Sequence, residues 1–165
     1  MTFSIGRKVV YPGQGPCRIG AVVEKIIGGQ AGSYYRLVSL AESSDAVFVP
    51  VNKIDGLGIR RLMTRPEVAR VLRHLAVSSE RPTHWRQRDF VNLKRLSSGS
   101  ADDLARIIES LTEINERRPL APRERHILDR ARRLLICEIS EATGENKLVT
   151  EGYLDRALGT HRGRS

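Results

Sequence analysis

The single tryptophan of this chain, Trp85, lies in the segment THWRQRDFVNLKR, among cations. Between Arg81 and Arg95 the basic residues are Arg81, Arg86, Arg88, Lys94 and Arg95, and Asp89 is the only acid. A flat aromatic surrounded by positive charge suits one chemistry in particular. Its ring can meet a nucleobase stack while its neighbours hold backbone phosphates. The plainer alternative is a tryptophan packed inside, since the type is highly buried on average. At about 100° per helical residue, Arg88, Asn92 and Arg95 fall on or beside the face of Trp85, and Phe90 and Leu93 fall elsewhere. The spacing therefore predicts a DNA-facing side built on Trp85, Arg88, Asn92 and Arg95, with Phe90 and Leu93 making the core contact. An aromatic in a helix's first turn also adjoins the backbone N–H groups that favour phosphate.

Other groupings offer less. Gly13 and Gly15 are spaced as in part of a dinucleotide loop, but the third glycine and the following helix are missing, and there is no phosphate-loop lysine motif. His74, His84, His126 and His161 have no mutual metal spacing. Ser43, Ser44 and Asp45 read as a hairpin loop, and Glu113 with Arg117 reads as a solvated helical pair. Cys17 and Cys137 form neither a ligand pattern nor a disulfide framework and are expected as small buried hydrophobes, as suits a reducing cytoplasm. No catalytic residues, metal or cofactor are expected, and the chain is read as a non-enzyme.

The charge balance narrows the partner. Lys and Arg number 28 against 19 Asp and Glu, for a net charge of +9 and a pI near 10.2, which favours a polyanion. Residues 1–62 carry eight bases against four acids, residues 63–95 eight against three, and residues 96–165 twelve against twelve. The C-terminal half thus concentrates its excess around Trp85. No apolar run approaches the ~20 residues of a membrane span, and the opening MTFSIGRKVVYPGQG lacks the pattern of a secretory signal.

Two folding regimes position these residues. Residues 1–62 alternate as β: strands over 8–11, 18–27, 34–40 and 46–51, with turns at 12–15 and 28–32. Short strands this closely spaced within about 60 residues imply a small, strongly curved barrel, because closure removes exposed edges. Residues 63–160 read as five helices. Thr64 caps the first, with Val68, Val71, Leu72 and Leu75 inward; residues 77–82 form a linker; Thr83 caps a helix over 84–96. Ser100 with Asp103 opens the third, with Leu104, Ile107, Ile108, Leu111 and Ile114 on one face. Pro122 opens the fourth, with Leu128, Ala131, Leu135 and Ile139 inward and Gly144 beyond its end. A last helix covers 147–158, and residues 161–165 are expected as a flexible tail.

Several blocks in this order resemble the CarD family of bacterial RNA polymerase-binding transcription regulators, in its stand-alone form. They are GRKVVYPGQG at 6–15, FVPVNK at 48–53 with GLGIR at 56–60, PTHWRQR at 82–88 with NLKRLSSG at 92–99, and LAPRERHILDRARRLLICEIS at 120–140. The resemblance implies a Tudor-like N-terminal barrel of the type found in a transcription-repair coupling factor, joined to a compact helical DNA-binding domain. It implies docking on the polymerase β subunit, partly by strand addition. It also implies that the tryptophan wedges into the minor groove of promoter DNA, with little sequence reading, at the upstream edge of the transcription bubble.

Carried onto this chain, the resemblance makes Trp85 the wedge and Arg88 a phosphate contact. With the helical spacing and the local basic residues, the expected DNA-binding set is Trp85, Arg86, Arg88, Asn92, Lys94 and Arg95. The resemblance aligns Lys25, Phe48 and Pro50 with polymerase-contacting positions, and the expected polymerase-binding set is Lys25, Arg36, Phe48, Val49 and Pro50. Gln87 and Phe90 depart from the family, standing where relatives often carry basic DNA-contacting residues, so phosphate binding is expected to lean on Arg86, Lys94 and Arg95. A monomeric, cytoplasmic, nucleoid-associated protein is expected. The alternatives are a diverged paralogue that represses or serves few promoters, and a small-barrel protein that binds RNA or ribosomes.

Overall fold

The computed structural model describes residues 3–41, 45–76 and 85–162, with backbone alone for Trp85, Arg86 and residues 160–162. The chain divides into two compact units, Met1–Leu62 and Met63–Ser165. The expected linker over 77–82, the Thr83 cap and His84 lie outside the described residues.

The first unit is a five-stranded antiparallel sheet of β1 (Lys8–Tyr11), β2 (Gly15–Ile27), β3 (Gln30–Ser39), β4 (Ala46–Pro50) and β5 (Arg60–Arg61), in the order β4-β3-β2-β1-β5. Gly28 and Gly29 both have positive φ, 60° and 81°, as a two-residue turn matched to strand twist requires. With the turn complete in two glycines, Gln30 pairs at once with Ile27. The turn is therefore tighter than the expected 28–32, and Ala31 and Gly32 belong to the ladder. The inward residues Val9, Cys17, Ile19, Leu37 and Val49 form a core with Phe3. Beyond β4 the chain forms a 3-10 helix, Val51–Leu57, which ends at Gly58 (φ 71°) and leads to β5. It lays Ile54 into the same core, so the two end strands are joined by a helical turn rather than by a ladder among the described residues.

Gly20 makes one detail of this sheet possible. The register of β2 on β3 slips between Ile19 and Val22, and an added Cβ at Gly20 would stand 2.8 Å from the Arg36 carbonyl oxygen. Only a residue without a side chain permits that approach.

The second unit has α1 (Arg65–Ala76), α2 (Trp85–Ser98), α3 (Ala101–Arg117), α4 (Pro122–Thr143) and α5 (Lys147–Arg162). Thr64 and Glu67 exchange backbone-to-side-chain hydrogen bonds, each at 3.4 Å, a capping box that starts α1. Val68, Val71 and Leu75 are buried below it, with Leu72 half-buried. Ser100 caps α3 by accepting from the Asp103 N–H at 3.4 Å. The reciprocal bond goes elsewhere. Asp103, one methylene shorter than Glu, accepts from the Ser98 hydroxyl at 2.7 Å, and that oxygen accepts the Ser100 N–H at 3.2 Å.

On α4 the buried stripe is Ile127, Ala131, Leu134, Leu135 and Ile139, with Leu128 half-buried where it was expected fully inside. A helix of this length touches neighbours along a band wider than a single i, i+4 line, and α4 packs against α1, α2, α3 and α5. Gly144, at φ 80°, ends it. Asn146 accepts from the Val149 N–H at 2.8 Å and starts α5, which runs on past Leu158 to Arg162. Cys17 and Cys137 are both buried thiols, as expected.

Candidate protein and nucleic-acid interfaces

In the first unit, strand alternation sorts the residues expected to meet polymerase. Phe48 lies opposite Arg36 and Pro50 opposite Tyr34, so these side chains share a face of β3 and β4. Lys25 of β2 reaches the same place, with its Nζ 3.5 Å from the centre of the Phe48 ring. A cation held over an aromatic face stabilises both side chains in an outward-facing arrangement. Val49 points the other way. It is 2% exposed and packs in the core, so only its backbone can contribute to a contact. That backbone belongs to β4, the end strand of the sheet order.

In the second unit, α2 turns opposite to its expected orientation. Asn92 is 3% exposed, and Arg88 is largely buried with its guanidinium 3.8 Å from Glu124. Phe90 is 62% exposed and Leu93 43%, with Val91 beside them also exposed. Gln87 and Lys94 share the exposed side, and the Lys94 Nζ lies 4.8 Å from the centre of the Phe90 ring. Phe90 and Leu93 are therefore not core contacts, and Asn92 is not on a surface that DNA can reach.

The cause lies on α4. Glu124 is buried at the start of that helix and accepts from the Ala121 N–H at 3.2 Å, half of a capping box whose other half alanine cannot supply. The Arg118 guanidinium donates to both its oxygens, at 3.1 and 3.4 Å. Burial, the largest single influence, pushes this carboxyl up. The Arg118 hydrogen bond, the Ala121 N–H and the charges of Arg118 and Arg88 outweigh it and hold the group below its ordinary value. A buried carboxylate held charged in this way requires cations on its open side, and Arg88 from α2 is one of them. Asp89 is drawn to α4 as well, 3.8 Å from Arg123. Polar partners thus engage the inner face of α2, and Phe90, Val91 and Leu93 remain outside.

Residues 67–155 match the family description "CarD, C-terminal domain". The chain belongs to the CarD family. Residues 3–63 match the description "CarD-like/TRCF RID domain", so the N-terminal sheet of this CarD protein is of the RNA polymerase-interacting type. The CarD chain is also 27% identical over 145 residues to a protein of Bacillus subtilis (strain 168) named "Putative transcription factor YdeB", covering 86% of this chain and 93% of that one. It is a transcription regulator. Among its described residues no helix is long and apolar enough to cross a membrane.

The fold of this CarD protein brings Lys25, Arg36, Phe48 and Pro50 to one outward face and turns Val49 inside. It leaves Lys94 exposed and Arg95 half-buried, and it engages Arg88 with Glu124. The side chains of Trp85 and Arg86 lie outside the described residues. Sequence reasoning missed Glu124 as the residue that orients α2. Its position, three residues after Ala121 at a proline-led helix start, is the available signal, because an acid there reaches back to the first free N–H. It also missed Glu138, buried on α4, which accepts the Met63 N–H at 2.9 Å. Periodicity gives no warning of a carboxylate on an apolar stripe.

Proposed function

We propose that this CarD-family protein docks on the β subunit of bacterial RNA polymerase through its N-terminal domain and meets promoter DNA through its helical domain. There it stabilises the open complex at the upstream edge of the transcription bubble. The observation that supports docking most directly is the Lys25–Phe48 pair beside Arg36 and Pro50, next to end strand β4. An aromatic with cations beside an available strand edge suits a protein partner that adds a strand and is anchored by side-chain pockets.

On the DNA side, Trp85 is the wedge at the start of α2, acting on the minor groove with little sequence preference. A wedge that fits only distorted DNA binds the open complex better than the closed one and shifts the equilibrium by that difference. Lys94, Arg86 and Arg95 hold phosphates, and Arg88 contributes through the fold. The DNA contact is weak alone and becomes effective because polymerase docking supplies a high local concentration. The protein acts in the cytoplasm at the nucleoid, as a monomer, and without catalysis.

Open-complex lifetime on a promoter tests this. Trp85→Ala should shorten the lifetime by roughly fivefold or more, the scale of one lost stacking contact, with polymerase capture unchanged. Phe48→Ala should instead weaken capture by roughly tenfold, as loss of an interface anchor does. An unchanged lifetime for Trp85→Ala overturns the wedge. Gln87 and Phe90, both exposed, favour a second reading in which this member represses or serves a restricted promoter set. A wild-type protein that prolongs open complexes yet lowers transcript yield would establish it.

A further inference from the structure

The outer face of α2 has a composition that the tryptophan wedge does not use. Phe90, Val91 and Leu93 are exposed there, on a helix whose inner face is held by Arg88 with Glu124 and by Asp89 with Arg123. The inner contacts are polar and directional, so the outward position of Phe90 is built into the fold. The surroundings point to a polyanion. Asp89, the only acid of α2, is paired with Arg123, and Glu124 is buried. Lys94 stands over the Phe90 ring, while the side chains of Arg123 and Arg118 remain 70% and 45% exposed.

We propose that Phe90, with Lys94 over its ring, is a second base-stacking site that takes an unpaired base of the opened DNA strand. It deepens the reading above and rests on α2 meeting DNA. An exposed ring offers a π-face to a base, and the ammonium beside it holds the phosphate that follows. Stacking of this kind needs a base whose own neighbour has left, so the site discriminates separated strands from intact duplex. A basic residue in the same place would bind phosphate on either. Phe90 thus exchanges general affinity for preference toward open DNA.

The test uses the full-length protein on two DNAs of equal length: a fork junction with 2-aminopurine in its unpaired arm, and a fully paired duplex. Phe90→Leu keeps an apolar side chain but removes the ring. It should bind the fork about fivefold more weakly and lose the fluorescence quench, with duplex affinity and melting temperature unchanged. Phe90→Lys should bind both DNAs more tightly and lose the preference between them. If Phe90→Leu matches wild type on the fork while Trp85→Ala binds it more weakly, the second site is wrong and the wedge stands. If neither substitution alters fork binding, both fall. If Phe90→Leu leaves fork binding intact but reduces polymerase capture or changes the sedimentation of the free protein, the face is a protein surface and the proposal is overturned.

Discussion

Glu124 decides which residues of α2 are available to a partner. A carboxylate held charged in the interior draws Arg88 inward, so the roles of an arginine and a phenylalanine are exchanged relative to what their chemistry suggests. The same group supplies a pH test. Its value in the folded chain lies below the ordinary 4.5, so its stabilisation is complete above the unfolded value and is lost as pH falls through the folded one. Glu124→Gln should cost roughly 2 kcal/mol near neutrality and flatten the acid limb of the stability curve below about pH 4.5. Identical acid limbs in melts of the two proteins would show that the carboxylate is not the controlling group. Arg88→Ala should lower melting temperature first, and weaken DNA binding only as far as α2 loosens, which separates it from Lys94→Ala.

At the scale of elements, turns and caps set where each side chain emerges. Gly20 permits β3 to come within reach of β2 at the bulge opposite Arg36. Gly20→Ala should destabilise the N-terminal domain by about 1–3 kcal/mol through that clash, and should reduce polymerase capture beyond the loss expected from unfolding alone. Normal capture by the folded fraction, measured at low temperature, would disconnect the bulge from docking. The Ser98–Ser100–Asp103 arrangement joins the end of α2 to the start of α3. Ser100→Ala should cost about 1 kcal/mol in a thermal melt. Most helix starts and ends were legible, because Thr64, Ser100, Pro122 and Gly144 act within a few residues of themselves. The turn at Gly28 and Gly29 was placed correctly but drawn too long, since a glycine pair completes a hairpin that sequence alone cannot measure.

For the molecule as a whole, charge is divided unevenly along the chain, with its strongest excess over residues 63–95. Binding of the free protein to duplex should accordingly be weak and should fall steeply with salt, and nanomolar sequence-specific binding would contradict the tethered mechanism. Lys94→Ala should lower the slope of log affinity against log salt by about one phosphate contact. An unchanged slope would remove Lys94 from the DNA surface. Arg88, already engaged by Glu124, should change that slope little.

The residues by themselves determined the division into a β unit and a helical unit, the basic region around Trp85, most caps and the inward apolar stripes. These follow from local periodicity, turn chemistry and composition, none of which needs a distant partner. Strand alternation does not let the consecutive Phe48, Val49 and Pro50 of β4 all face outward, although all three are expected to meet polymerase. Which residue of each pair faces out was decided by the fold, which put Val49 in the core and Phe48 under Lys25. The orientation of α2 was decided there too. Periodicity favours Phe90 and Leu93 as its inner face, but both are exposed, and the opposite face carries Arg88 to a buried carboxylate on α4 far along the chain. That long-range electrostatic contact holds Arg88 on the inner side, where Asn92 is also buried, while Phe90 faces out.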